Sequence, residues 1–141
     1  MADLATKPGA RARPEFRNIH VSQLSQYRLP LAGIVSILHR VSGALMFLVG
    51  IPFILYLFQQ SITSEISFEN YRAVVGSPLG KIVLLGLVWG YLHHFCAGIR
   101  YLLLDMHVGV EKESSRTSAA VVLGVSLVLT AVVALKLFGV F

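Results

Sequence analysis

The sequence predicts an all-α protein that crosses a membrane three times, and three observations support this prediction. First, 55% of the 141 residues are hydrophobic and only 13% are charged, whereas a soluble domain carries about 25% charged residues. Second, the apolar residues fall into three runs, each near the ~20 residues that a helix needs to cross a bilayer. Third, basic residues crowd before the first run, a pattern that usually sets topology. The net charge of +5 therefore does not indicate nucleic-acid binding.

Residues 1–28 are polar and basic, and we interpret them as a cytoplasmic tail. No apolar segment follows directly on the basic residues, so the tail lacks the pattern of a secretory signal peptide. Its short length, together with Asp3 and Glu15, argues against a mitochondrial transit peptide. Residues 29–141 then form the transmembrane domain.

The three predicted spans cover about residues 31–58, 79–104 and 117–139. The uncharged run from Ala44 to Phe58 is too short to cross a bilayer, so the first helix must reach back past His39-Arg40 to about Gly33. That requirement brings a histidine and an arginine inside the membrane boundary. The third span has no ionisable side chain between Thr117 and Leu135, and we interpret it as structural.

Three spans place the two termini on opposite sides of the membrane. The positive-inside rule assigns the basic tail to the cytoplasm, so the loop over residues 105–116 shares that side. The polar connection over residues 59–78 and the C-terminus then face outward. The short tail favours a bacterial inner membrane over a mitochondrial one.

The second span carries two adjacent histidines, and helical periodicity separates them. Gly86, Gly90, His94 and Gly98 recur every four residues and share one row of a helix. A row of glycines predicts a channel along this face, with His94 projecting into it. His93 is rotated by about 100° and does not share the row. By these observations alone, His94 is either a metal ligand or a hydrogen-bonded histidine at a helix contact.

The first span carries a stripe of mostly small residues that contains a hydroxyl and a guanidinium. Its members are Gly33, Ser36, Arg40, Gly43, Phe47 and Gly50. Small residues alone would indicate a packing face for a neighbouring helix. Arg40 favours a functional role, because a charge within a membrane helix costs ~2.5–3.5 kcal/mol and is usually paired or functional.

Depth along the antiparallel helices relates the two stripes to each other. At 1.5 Å per residue, Arg40 lies roughly 10 Å beyond Gly33, and His94 lies roughly 16 Å from Asp105. A polar layer is therefore expected near the cytoplasmic face, above His94, made of Ser36, His39, Arg40 and Arg100. Haem b suits such a site, because its propionates pair with cationic side chains and an imidazole ligates its iron.

Two motifs in this polar region resemble those of a known family. Ser36-Ile-Leu-His-Arg-Val-Ser-Gly43 resembles the first signature of the cytochrome b subunit of succinate dehydrogenase. His94-Phe-Cys-Ala-Gly-Ile-Arg100, followed by Asp105, resembles the second. Arg13-Pro14 and Tyr27-Arg28-Leu-Pro30 are similar to the family's approach to the first helix, so the resemblance covers about residues 13–106.

The resemblance implies a role for each candidate site residue. His94 would be one axial ligand of haem b, and a second small membrane anchor subunit would supply the other. Ser36 and Arg40 match positions that contact the quinone, while His39 and Arg40 match positions near the haem propionates. Asp105 matches a position at the cytoplasmic rim, on a proton path.

The resemblance also implies a half-bundle, completed by the second anchor subunit, beneath an iron–sulfur subunit and a flavoprotein. Such a complex carries electrons from succinate, a tricarboxylic acid cycle intermediate, to ubiquinone. Whether this chain counts as an enzyme by itself stays open, since succinate oxidation belongs to other subunits. Two alternatives also stay open: a fumarate reductase-type anchor that uses menaquinone, and a cofactor-free structural membrane subunit. The motif departs from the family at Tyr101, where histidine or phenylalanine is usual, so a protonic histidine cannot be assigned there.

Overall fold

The computed structural model describes residues 21–24 and 26–140 of the chain. All regular structure in these residues is helical. The helices are α1 (Val21–Leu24), α2 (Leu31–Ile62), α3 (Glu65–Gly76), α4 (Pro78–Asp105) and α5 (Lys112–Leu137). The tail assigned to residues 1–28 lies largely outside the described residues.

Three of these helices, α2, α4 and α5, are long and apolar enough to cross a membrane. This observation confirms the predicted all-α class with three apolar helices. Each helix extends beyond the corresponding predicted span at one end or both, and the exact limits of the membrane-embedded segments stay predictions.

Helix α2 begins directly after Pro30, whose carbonyl accepts hydrogen bonds from the amides of Gly33 and Ile34 at 2.8 and 3.2 Å. His39 and Arg40 therefore lie within the helix, as the length argument required. A wider π-helical turn occupies Met46–Gly50. It ends two residues before Pro52, whose ring would crowd a carbonyl of a regular α-helical turn.

The polar connection between the first two spans is itself largely helical. The Ser64 hydroxyl accepts a hydrogen bond from the Ser67 amide, and the Ser67 hydroxyl accepts one from the Ser64 amide. This reciprocal capping box starts α3. The Ser77 hydroxyl then caps α4 by accepting from the Gly80 amide at 2.9 Å.

Helix α4 packs against both α2 and α5 and forms the centre of the bundle. A small cluster of buried apolar residues joins these helices and contains Val35, Ala97, Ala119 and Val122, while Leu57 and Leu87 are buried elsewhere along the bundle. Small residues at these contacts let helix backbones approach closely. Most large apolar side chains point outward, which suits a protein whose surroundings are lipid or other membrane subunits.

Candidate functional site

His94 lies at the contact between α4 and α2, half-buried, with one ring nitrogen held by α2. Its Nδ1 lies 3.0 Å from the backbone carbonyl oxygen of His39 and 3.3 Å from the Ser42 hydroxyl oxygen. A carbonyl oxygen can only accept, so we assign the ring proton to Nδ1, which donates to His39. The lone pair on Nε2 is then free to bind a metal, the arrangement that second-shell hydrogen bonds impose on histidine ligands.

Ser42 is a component of this contact that sequence reasoning did not single out. It is 2% exposed, and its hydroxyl donates to the same His39 carbonyl at 2.9 Å. Hydroxyls within helices commonly bond a carbonyl of the preceding turn. Ser42 is thereby fixed beside His94 Nδ1. Its position inside the first motif was the only signal in the sequence.

Gly43 gives the imidazole of His94 room to lie against the backbone of α2. A Cβ atom at Gly43 would stand 2.9 Å from Cε1 of His94, closer than carbon atoms approach without displacement. Any larger residue at this position would therefore push the imidazole away from α2. The glycine in the first motif is explained by this contact.

Helix α2 lies against part of the glycine row on α4, so the expected channel does not run along the whole row. A Cβ at Gly90 would contact Ser42 at 4.0 Å, and one at Gly98 would contact His39 Nε2 at 3.8 Å. Only the end of the row is open, because nothing lies within 4 Å of a Cβ at Gly86. The row allows α2 to approach α4 closely enough to hold His94.

His39 packs directly on the ring of His94. The two ring centroids are 4.0 Å apart, and the planes differ by 15°. The Tyr101 ring also packs against the His39 ring, tilted by 51° and with ring centroids 5.1 Å apart. The Tyr101 hydroxyl is buried and has no hydrogen-bond partner among the described residues. The rings of His39, Tyr101 and the candidate ligand His94 thus form one contiguous aromatic cluster contributed by two helices.

Ser36 and Arg40 come together on α2, one helical turn apart. The Arg40 guanidinium donates to the Ser36 hydroxyl through Nη2 at 3.1 Å. Arg40 is exposed, so most of its donors are available to another molecule. These two residues are the part of the predicted polar layer that the structure brings into contact, while the ring of His39 packs against α4.

Arg100 does not join that layer, and this expectation was wrong. It is 5% exposed and turns toward α5. Its Nε donates to the Ser118 hydroxyl at 3.0 Å, and its Nη2 donates to the Ser115 hydroxyl at 2.9 Å. Helix α5, the third predicted span, therefore does more than pack, because it supplies the polar partners of a buried cation.

The neighbouring His93 lies in a closed environment. Its side chain is fully buried and stacks on Trp89, with ring centroids 5.5 Å apart. Neither ring nitrogen makes a hydrogen bond within the described chain, although a backbone group of Val35 lies nearby. His93 therefore acts as a residue of the helix interface and offers no free nitrogen at the surface.

Asp105 is the last residue of α4 and is exposed. The turn that follows it reverses the chain through His107 and Gly109, which have φ angles of 61° and 75°. The His107 amide donates to the Leu104 carbonyl and the Val108 amide to the Leu103 carbonyl, both at 2.9 Å. This helix end leaves the Asp105 carboxylate at the rim of the bundle, away from His94.

The fold and site define a class: a membrane subunit with three apolar helices, in which α4 holds an oriented histidine against α2. Residues 15–133 match the family described as the succinate dehydrogenase/fumarate reductase transmembrane subunit. The chain belongs to this family.

Individual relatives agree with that assignment. A succinate dehydrogenase cytochrome b556 subunit from Paracoccus denitrificans is 39% identical over 118 residues, covering 84% of this chain and 89% of the relative. The proteins of the same name from Coxiella burnetii and Rickettsia felis are similar over shorter stretches. The Coxiella protein is 30% identical over 74% of this chain and 84% of its own length. The Rickettsia protein is 32% identical over 76% and 82%.

Proposed function

We propose that this chain is the haem b-binding membrane anchor of a succinate dehydrogenase and helps to form its ubiquinone-reduction site. The observation that carries the proposal is the geometry of His94, whose Nδ1 is committed to the His39 carbonyl at 3.0 Å. The free Nε2 makes this residue a suitable iron ligand. The relatives named cytochrome b556 subunits support the same function.

The residues around His94 fit a haem group in three respects. The Nδ1 hydrogen bond fixes the imidazole and selects the tautomer that ligates iron. Gly43 lets the ring lie close to α2, and the half-exposed position leaves His94 accessible from outside this chain. His39 and Arg40 would contact the propionates, because side chains on α2 lean toward its N-terminus, the cytoplasmic end in the predicted topology. When bound, haem b would supply a one-electron carrier within the membrane.

Ser36 and Arg40 would bind the quinone. The Ser36 hydroxyl accepts its hydrogen bond from Arg40 at 3.1 Å, so its own proton remains available to a quinone carbonyl. The guanidinium has five N–H donors, and one suffices for Ser36. Two adjacent donors, one of them cationic, would stabilise the negative charge that develops on a carbonyl oxygen during reduction. Asp105, exposed at the rim, would serve the proton path that accompanies reduction.

This chain would supply only part of the complete site. A second small membrane subunit would donate the other axial ligand, and the iron–sulfur and flavoprotein subunits would bind on the cytoplasmic side. The basic residues before α2 favour a cytoplasmic N-terminus, and the bacterial relatives support a bacterial inner membrane. The division into a tail of residues 1–28 and a transmembrane domain of residues 29–141 belongs to the same proposal.

A fumarate reductase-type anchor that uses menaquinone is the second candidate, since the family description includes both complexes. The relatives quoted above carry the succinate dehydrogenase name, which favours the first candidate. The purified complex distinguishes them by the direction of turnover and by its preference for ubiquinone or menaquinone.

The proposal is tested by the reduced-minus-oxidised optical spectrum of the purified complex and of its His94→Leu variant. The wild-type complex should show the bands of haem b, and the variant should lose them while the subunits still assemble. Haem retained at full strength in the variant would show that His94 is not a ligand. A wild-type complex without haem bands would instead favour the cofactor-free structural alternative.

A further inference from the structure

A groove runs along the junction of α4 and α5, on the side of α4 away from His94. Its volume is about 510 Å³. The lining side chains are mostly apolar and come from Cys96 to Leu104 on α4 and from Thr117 to Val125 on α5. Gly109 and Ser114, in the turn between the helices, line its cytoplasmic end. The groove is therefore an apolar trough along the bundle that begins at the predicted cytoplasmic membrane surface.

Arg100 is the charged residue in the lining of this trough. Its described partners are all neutral: the Ser118 hydroxyl at 3.0 Å, and the Ser115 hydroxyl and carbonyl at 2.9 and 3.3 Å. The Tyr101 ring, 5.4 Å from the guanidinium carbon, adds a cation–π contact. These bonds use Nε and Nη2, so Nη1 has no bonded partner among residues 26–140. The one ion pair described there joins Arg72 to Glu69, outside the trough.

A cation that is 95% buried and lacks a counter-charge is unfavourable in a membrane protein. Neutral hydrogen bonds and a cation–π contact offset part of the desolvation cost, and a nearby anion offsets more. Arg100 lies five residues before the end of α4, or roughly 7 Å below it, within reach of the headgroup region. The turn at this end is mixed in charge, with Lys112 and Arg116 beside Asp105, Glu111 and Glu113, so the positive charge that faces the trough is that of Arg100. The site is therefore complementary to an anion that enters from the cytoplasmic headgroup layer.

The length and lining of the trough match an acyl chain. The lining of α5 from Thr117 to Val125 runs about 12 Å, most of the ~15 Å depth of one leaflet. A single hydrocarbon chain can extend over that depth and is chemically matched to the valine and leucine lining.

We propose that this trough binds an anionic phospholipid, with the phosphate against Nη1 of Arg100 and one acyl chain along Val121 and Val125. The bound lipid would neutralise Arg100 and close the junction between α4 and α5. This proposal concerns the face of α4 opposite the α2 contact, so it does not depend on haem or quinone binding.

The test uses the whole complex in nanodiscs of phosphatidylcholine that contain a trace of photoreactive lipid. One probe is phosphatidylglycerol and the other is phosphatidylcholine, each with a diazirine in the acyl chain. Crosslinked peptides are mapped by mass spectrometry in wild type, Arg100→Gln and the matched control Arg72→Gln. Val121→Phe, which narrows the trough without altering charge, provides a second test if Arg100→Gln fails to assemble.

We expect the phosphatidylglycerol probe to label the α4–α5 peptides preferentially in wild type and in Arg72→Gln. Arg100→Gln should reduce this preference about fivefold, the effect of one cation near an anionic leaflet. Val121→Phe should reduce labelling by both probes. Equal labelling by both probes in wild type, or an unchanged preference in Arg100→Gln, would overturn the proposal. So would competition by inorganic phosphate, which would indicate a free-anion site, or a partner-subunit carboxylate found against Arg100 in a structure of the complex.

Discussion

The two sides of α4 use the same residue types for different purposes. Against α2, a histidine and a serine meet at a half-buried contact, and Arg40 on α2 remains exposed beside Ser36. Against α5, Arg100 is buried and donates to two serines. One interface leaves donors and a ring nitrogen available to other molecules, whereas the other largely satisfies its polar groups internally. In this bundle, the partners of a polar residue decide its role more than its chemical type does.

The adjacent histidines make the same distinction within a single helical turn. His94 is oriented by hydrogen bonds from α2 and keeps one nitrogen free, while His93 is sealed against Trp89. A rotation of about 100° around α4 separates these environments. The predictions below test whether the α2 side of α4 carries the haem and quinone chemistry.

The largest expected effect is on quinone reduction by Arg40→Leu. Removing a cationic donor at a site of developing negative charge costs on the order of 100-fold in rate. Ser36→Ala removes one neutral hydrogen bond and should cost about tenfold. Succinate oxidation with an artificial acceptor should continue in both variants, because it requires neither side chain.

Arg72 provides the matched control for Arg40, because it is also an exposed arginine but is paired to Glu69 on α3. Arg72→Leu should leave quinone reductase activity at the wild-type level. If the Arg40→Leu variant lost both activities together, defective assembly would explain the result and the quinone assignment would fail.

The second largest effect is a loss of haem from the Gly43→Ala variant, because Gly43 lies against the ring of His94. Gly43→Ala would place a methyl group 2.9 Å from Cε1 of His94. Displacing the ring should cost about 1–3 kcal/mol and reduce the haem content of the purified complex. Gly86→Ala is the control, because a Cβ there meets no atom within 4 Å. Equal haem content in the two variants would contradict the proposed contact.

The smallest effect is expected from Tyr101→Phe. The Tyr101 hydroxyl is buried and makes no hydrogen bond within the described residues, so its removal should change the melting temperature of the complex by little. Replacing an unsatisfied polar group by an apolar one is often neutral or stabilising. A large loss of stability or of haem would show that the hydroxyl has a partner outside this chain.

Helical periodicity and composition were sufficient to predict the three apolar helices and to single out His94 over His93. Depth along the helix alone does not locate the partners of Arg100. Its depth placed it level with Ser36 and Arg40, but it follows His94 by six residues and is rotated from it by about 240°. Rotation would have assigned it to another face of α4.

The filling of the glycine row could not be predicted from the sequence. Glycines at four-residue spacing permit either an open channel or a close helix contact, and only the position of α2 decides between them. A Cβ added at Gly90 or Gly98 would touch Ser42 or His39, whereas one added at Gly86 would touch nothing, so the row is covered by α2 over part of its length only. The choice of Ser115 and Ser118 as partners of Arg100 depends equally on packing, since many serines in the chain had suitable chemistry.

The central claim is that His94, and not His93, ligates haem iron. The most direct measurement is the near-infrared magnetic circular dichroism of the oxidised complex, in which the charge-transfer band reports the axial ligands. His94→Met should replace a histidine–histidine pair with a histidine–methionine pair and move the band. His93→Met should leave it at the wild-type position. An unmoved band in His94→Met, or a moved one in His93→Met, would contradict the account.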